Sequence, residues 1–262
     1  MAKRARREAA RLIHSGRRRQ AERQVRRLRT WLGRLFRDIG RKIAGDAQAE
    51  AALAGPLGLI GRLLRQRRED RGRDKLHSLH APEVECIGKG KAHARYEFGV
   101  KVSIATTNAQ APGGQFVLGA RALPGNPYDG HTLAAQIAQT ERLTSVEIER
   151  AYVDRGYRGH DADRTRVILS GQKRGITPTI RRERRRRSAI EPVIGHMKSD
   201  GHLGRNFLLG TQGDATNVIL AAAGHNLRLL RAWLAWLFAL RLSLIRATHH
   251  TGPRLMERPE PA

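Results

Sequence analysis

Two acidic residues stand where this chain could carry out metal-assisted chemistry on a phosphodiester. The first is Asp154. Ile148, Ala151, Tyr152 and Val153 form a short apolar run that stops at Asp154, with Gly156 and Gly159 just beyond. That pattern predicts a buried strand delivering a carboxylate at its C-terminal end, with glycines turning the chain away. A second short strand is predicted over 165–169, then a turn at Ser170-Gly171 and a basic run over 181–187. The segment from Ser188 to Lys198 reads as a helix carrying the second acid, Glu191. If that helix is continuous, Arg187, Glu191 and Lys198 share one face, at offsets of four and seven. A carboxylate between two cations suits a divalent metal held beside a phosphate. Hard cations such as magnesium take carboxylate oxygens, and two of them roughly 4 Å apart can clamp the attacking and leaving oxygens. Arginine and lysine would hold the DNA backbone over them.

The elements that must position these residues follow the order strand, strand, strand, helix, the strand ending at Asp154, another strand, and the Glu191 helix. In these residues the sequence resembles the IS5-type bacterial insertion-sequence transposases, whose catalytic carboxylates are Asp, Asp and Glu. The likeness runs from about Lys3 to Trp236. It carries Asp154, within Asp-Arg-Gly-Tyr-Arg-Gly, onto the second aspartate. Glu191, four residues after Arg187 and seven before Lys198, falls on the catalytic glutamate. The family signature has a tyrosine three residues before that arginine, and here the position is Arg184. The resemblance implies an α/β, ribonuclease H-like mixed sheet flanked by helices and preceded by a basic helical arm. It also implies magnesium or manganese held by Asp154 and Glu191, and DNA held by Arg184, Arg187, Lys198, Lys89 and Lys91. The family's first aspartate lies on an early strand that would precede Met1, so the resemblance implies a core missing its first strand. The expected domains are a basic helical segment over 1–75, an incomplete catalytic core over 76–250 and a disordered tail over 251–262.

Charge agrees with a nucleic-acid partner. The net charge is +26 over 262 residues, far from ordinary globular balance, and such an excess predicts a polyanion. Up to Lys75 there are 23 Lys and Arg against 8 Asp and Glu, an excess of 15. In the same segment Leu28, Trp31, Leu32, Leu35, Phe36 and Ile39 recur at helical spacing. A further helix is predicted over 47–67, weakened near Gly55-Pro56-Leu57-Gly58. The single cysteine, Cys86, excludes an internal disulfide and a Cys-rich zinc site and fits a reducing cytoplasm; the resemblance implies a bacterial one, with the protein on the nucleoid. No signal peptide is visible, and Arg228, Arg231 and Arg241 interrupt the best membrane candidate, 227–245.

Between the arm and Asp154, the run from Tyr96 to Ile104 alternates as one strand should, and Gln115 to Arg121 reads as another, antiparallel to it. The Gly-Lys repeat over 88–91 lacks the spacing of a nucleotide-binding loop and opens no helix. A helix to about Arg142 would be capped by Asp129 or Thr132. Gly210 to Asp214 reads as a loop, and 215–246 as one long helix or two abutting ones with Trp233 and Trp236 in the core. No Cys, Ser or His arrangement supports another chemistry. The expected activity is Asp-Asp-Glu transposition of DNA, which admits a homo-oligomer and which this chain lacks while its first carboxylate is missing. The alternative is a non-catalytic DNA-binding remnant or a basic nucleic-acid-associated protein.

Overall fold

The computed structural model describes residues 1–67, 69–70, 75–88, 96–109 and 113–250, the side chains of 247–250 excepted. Lys89, Lys91 and the tail from Thr251 lie outside the described residues. The chain divides into two compact units, Met1–Cys86 and a second beginning at Ile87.

The first unit is helical. α1 (Ala2–His14) packs on α2 (Arg18–Ile43) through Ala5, Ala9, Leu12 and Ala21, all buried, and the alanines let the two backbones approach closely. α3 (Ala47–Arg65) starts at Asp46, whose carboxylate accepts from the backbone N–H groups of Gln48 and Ala49. It runs through Pro56 without ending, because Phe36 of α2 lies against Gly61 and Leu64 against Gly33 on the shared face. Arg29 of α2 donates to the carbonyls of Leu64 (2.6 Å) and Gln66 (2.9 Å), satisfying groups that the end of α3 leaves open.

In the second unit the strands come in pairs. β1 (Glu85–Gly88), within which the two units divide, pairs with β2 (Tyr96–Gly99). β3 (Lys101–Thr106) pairs antiparallel with β4 (Val117–Leu123), Lys101 opposite Leu123, as the sequence leads one to expect. β5 (Arg150–Val153) pairs in parallel with β6 (Arg166–Leu169). The alternating run from Tyr96 is thus two strands, broken at Val100 after Gly99 at φ +139°. The one mixed sheet expected from the strand order is three two-stranded pieces among the described residues.

Helices cover these pairs. α4 (Leu133–Thr144) lies close on β4, where a Cβ at Gly119 would stand 2.5 Å from Thr140 Oγ1. Neither Asp129 nor Thr132 caps α4 with its side chain. Asp161, 27 residues downstream, accepts from the N–H of Ala134 at 2.9 Å. α5 (Pro178–Arg186) and α6 (Ile190–Ser199) are separated by a 3-10 turn over Arg187–Ala189. α7 (Gly210–His250) is one helix, and it includes the stretch expected as a loop. Leu208, just before the helix, packs closely on Gly213, so the chain folds back on the first turn of α7 where a side chain at 213 would not fit.

Met197 and Val218, fully buried between α6, α7 and β4, centre one core, and each such side chain contributes roughly 1.5–3 kcal/mol. Leu133 and Ile137 of α4 centre a second, against Ala151, Val153 and Val167. Trp233 is half-buried and Trp236 is 59% exposed, so neither of the two tryptophans expected in the core is among its buried residues. No helix among the described residues is long and apolar enough to cross a membrane.

Candidate functional site

Asp154 follows directly on β5 and opens a 3-10 turn over Arg155–Tyr157, with its side chain 66% exposed. Its Oδ1 is 2.6 Å from Nη1 of Arg187, a largely buried side chain. The approach of these two follows from the way α5 is tied along β5. Glu183 of α5 accepts from Arg150 Nε at 3.2 Å and from the Tyr152 hydroxyl, both on β5. Asn108 clamps the end of the helix, donating to the Glu183 carbonyl at 3.1 Å and accepting from Arg186 Nε at 2.7 Å. Arg187, four residues after Glu183, then arrives at Asp154, two residues after Tyr152.

This tether has a pH signature. Burial, reinforced by the bond to Glu183, pushes the Tyr152 hydroxyl from 10.0 up to about 12. A pKa raised on folding gives stability that is complete below the unfolded value and is lost as pH climbs through the folded one. We expect an ultraviolet titration to show a tyrosine ionising near pH 12, a loss of stability from about pH 10 upward, and disappearance of the late step in Tyr152→Phe. A late step that persists in that variant would assign it to another tyrosine.

The remaining predicted residues are distributed unevenly. The break between α5 and α6 puts Arg187 on a 3-10 turn, so the continuous helix face expected for Arg187, Glu191 and Lys198 is not formed. A cavity of about 980 Å³ in the second unit is lined by Asp154, Arg187, Ile190, Ile194 and Lys198. Glu191 is exposed on the first turn of α6, next in sequence to the cavity-facing Ile190. Lys198 Nζ lies 3.7 Å from Glu97 on β2. Arg184 donates through Nη1 to the carbonyl of Gln172 at 2.5 Å, a contact that fastens α5 to the loop after β6.

Four neighbours of Asp154 carry no motif. Asp129 pairs with Lys101 at 2.9 Å, and its other oxygen lies against Gly156. Tyr157 is hydrogen-bonded to the buried Ser103 of β3. Burial raises the pKa of Tyr157, the bond to Ser103 opposes this, and the nearby carboxylates of Asp129 and Asp154 add to the rise. The Asp129-Gly130 turn was the only signal, and it suggested a helix cap.

Whether a divalent ion fits can be judged from the donor set. Among the described residues no three His, Cys, Asp or Glu gather closely enough to hold a metal, and one oxygen of Asp154 faces a guanidinium. Asp154 and Glu191 are both open to water, which suits at most one hydrated ion of the kind that keeps several waters and takes one or two carboxylates. They do not make a two-ion site.

In the first unit, Arg23, Arg26, Arg27 and Arg34 surround an open cleft of about 410 Å³ with Thr30 and Trp31. The Arg27 guanidinium sits 5.5 Å from the centre of the Trp31 ring, within cation–π range. Guanidinium groups beside an aromatic face supply both phosphate contact and a stacking surface.

Residues 160–231 match the family model of a transposase DDE domain. The matched stretch begins just after Asp154 and contains Arg187, Glu191 and Lys198. No curated protein and no solved structure matches the chain. Over these residues the chain is similar to transposases of the Asp-Asp-Glu class, enzymes that act on DNA and use divalent metal ions.

Proposed function

We propose that this chain carries the DNA-gripping and late-catalytic residues of an IS5-type transposase on a ribonuclease H-like core. Asp154 and Glu191 are then the second and third catalytic carboxylates. Arg187 and Lys198, with Lys89, Lys91 and Arg184, hold the phosphate backbone beside them, and the basic helices of the first unit bind DNA without reading its sequence. The observation that carries the reading is the Asp154–Arg187 pair, which ties the segment leading to Glu191 to the end of β5, inside or beside a stretch that matches a transposase domain. Magnesium or manganese, when bound, would supply Lewis-acid stabilisation of the attacking and leaving oxygens. Two carboxylates hold one such ion loosely, so the chain alone binds DNA and does not cut it.

Manganese binding to the free chain, followed by electron paramagnetic resonance, tests the assignment. Weak binding is expected, and Asp154→Asn or Glu191→Gln should each lower the affinity by about tenfold or more, the scale on which metal sites respond to loss of a supporting group. Affinity unchanged in both variants would remove these two residues from any metal site.

A further inference from the structure

The arginines of α2 fall into two groups. Arg29 reaches α3 and donates to two of its carbonyls, so it serves the fold. Arg23, Arg26, Arg27 and Arg34 are all exposed, and with Thr30 and Trp31 they line the cleft of about 410 Å³. Among the described residues no side chain of another element bonds to these four guanidinium groups, and Arg27 reaches only Gln24 of its own helix, at 3.4 Å. Positions 23, 26, 27, 30, 31 and 34 follow the three-and-four spacing that places side chains in one stripe. The cleft is therefore a furrow along a single helix, and it runs about 16 Å from Arg23 to Arg34 at roughly 1.5 Å per residue.

Phosphate contact accounts for the arginines and leaves Trp31 unexplained. The indole is half-buried, and its open part borders the furrow among the guanidinium groups, with that of Arg27 at 5.5 Å from the ring centre. In a duplex the faces of the bases are covered by neighbouring pairs, so a protein meets phosphates and base edges only. A flat ring with one N–H has little to read there. In an unpaired strand every base shows a face, and such strands are held by cations along the backbone with an aromatic ring on which a base stacks. Guanidinium planes extend the same stack. At roughly 3.4 Å per nucleotide, a furrow about 16 Å long follows about five phosphates of a strand, and fewer if the strand is stretched.

We propose that this furrow is a seat for unpaired DNA, in which Arg23, Arg26, Arg27 and Arg34 take the phosphates of a short single-stranded run and one base stacks on Trp31. The proposal rests on the reading of the first unit as a grip on DNA, and it names the form of DNA that the grip is shaped for. Duplex is held through its phosphates alone, whereas an unpaired strand gains the stacked base as well.

The test titrates the full chain into a fluorescently labelled thymidine strand of about ten nucleotides, within the site sizes of such grooves, and into a strand of equal length whose sugars carry no bases. The two present the same phosphates, so only stacking separates them. The thymidine strand should bind about tenfold tighter, the effect of roughly one stacked base, with the same dependence on salt. Trp31→Ala should bring it down to the level of the abasic strand, and a blunt duplex should bind alike with and without the indole. Where Trp31→Ala loses helix content by circular dichroism, Trp31→Phe, which keeps an aromatic face, should retain most of the difference, and the two strands on the unaltered chain decide. Equal affinity for the two strands, or a difference that survives in folded Trp31→Ala, overturns the proposal and leaves the first unit a grip on DNA. Binding of neither strand overturns both. A uridine ribonucleotide strand held about tenfold tighter than the thymidine strand, a gap as large as one stacked base, would give the furrow to RNA and overturns the assignment to DNA.

Discussion

Duplex DNA titrated against this chain will show an affinity that falls on the order of a thousand-fold or more as salt rises from about 50 to 200 mM, the response of a protein neutralising roughly 6 to 10 phosphates. The charge for this is concentrated in the first unit. α2 alone carries ten basic residues against two acidic ones, and one of those acids, Asp38, faces Arg41 and Lys42. Arginines gathered on one face around Trp31 repel each other unless an anion lies among them. Binding should therefore be nearly indifferent to sequence, because phosphate contacts position a protein without specifying bases. Deleting the residues before Lys75 should remove much of the salt slope. A flat response across the salt series, or a slope untouched by the deletion, would show that the arm does not hold DNA.

The second large effect is an absence of chemistry. With magnesium or manganese and its own element ends as substrate, this chain will neither nick nor join DNA. Positioning two divalent ions requires more carboxylate than Asp154 and Glu191 provide, and no third acidic group joins them among the described residues. Loss of one principal electrostatic stabiliser costs a factor of a hundred to a thousand, roughly 3–4 kcal/mol of barrier, and loss of an ion should cost more. A version extended to supply a third carboxylate beside Asp154 should cut, and Asp154→Ala or Glu191→Ala should abolish that cutting. Cleavage by the unextended chain that vanishes in both variants would overturn the argument, and Asp129, which lies close to Tyr157 together with Asp154, would be the first replacement to examine.

The sequence made some of this site readable and hid the rest for physical reasons. Asp154 stood out because burial demands an apolar strand and a carboxylate ends it, both of them local facts. The arm was equally plain, since three-and-four spacing of Leu28, Trp31, Leu32 and Leu35 needs only the helix period. The Asp161 cap on α4, the Asp129–Lys101 pair and the Glu183 tether to β5 join residues 27, 28 and 33 positions apart. No local pattern records such meetings, because they exist only once the chain has folded. The break before α6 was hidden differently. Residues 181–190 are compatible with one helix, and the clamp of Asn108 on Glu183 and Arg186 fixes α5 where it ends.

Asn226 on α7 closes part of one margin of the β3–β4 pair. Its side-chain amide accepts from the N–H of Val117 at 2.9 Å and donates to the carbonyl of Val117 at 2.8 Å, imitating the two bonds that a neighbouring strand would make. At this point the outer margin of β4 is already answered by a side chain, and a helix stands where a further strand would have to lie. Open margins invite unplanned pairing between molecules, and natural proteins close them by such covers. With Val117 answered in this way, the start of β4 is closed to a strand from another molecule, and the β3–β4 pair is guarded on that margin against fibre-like growth.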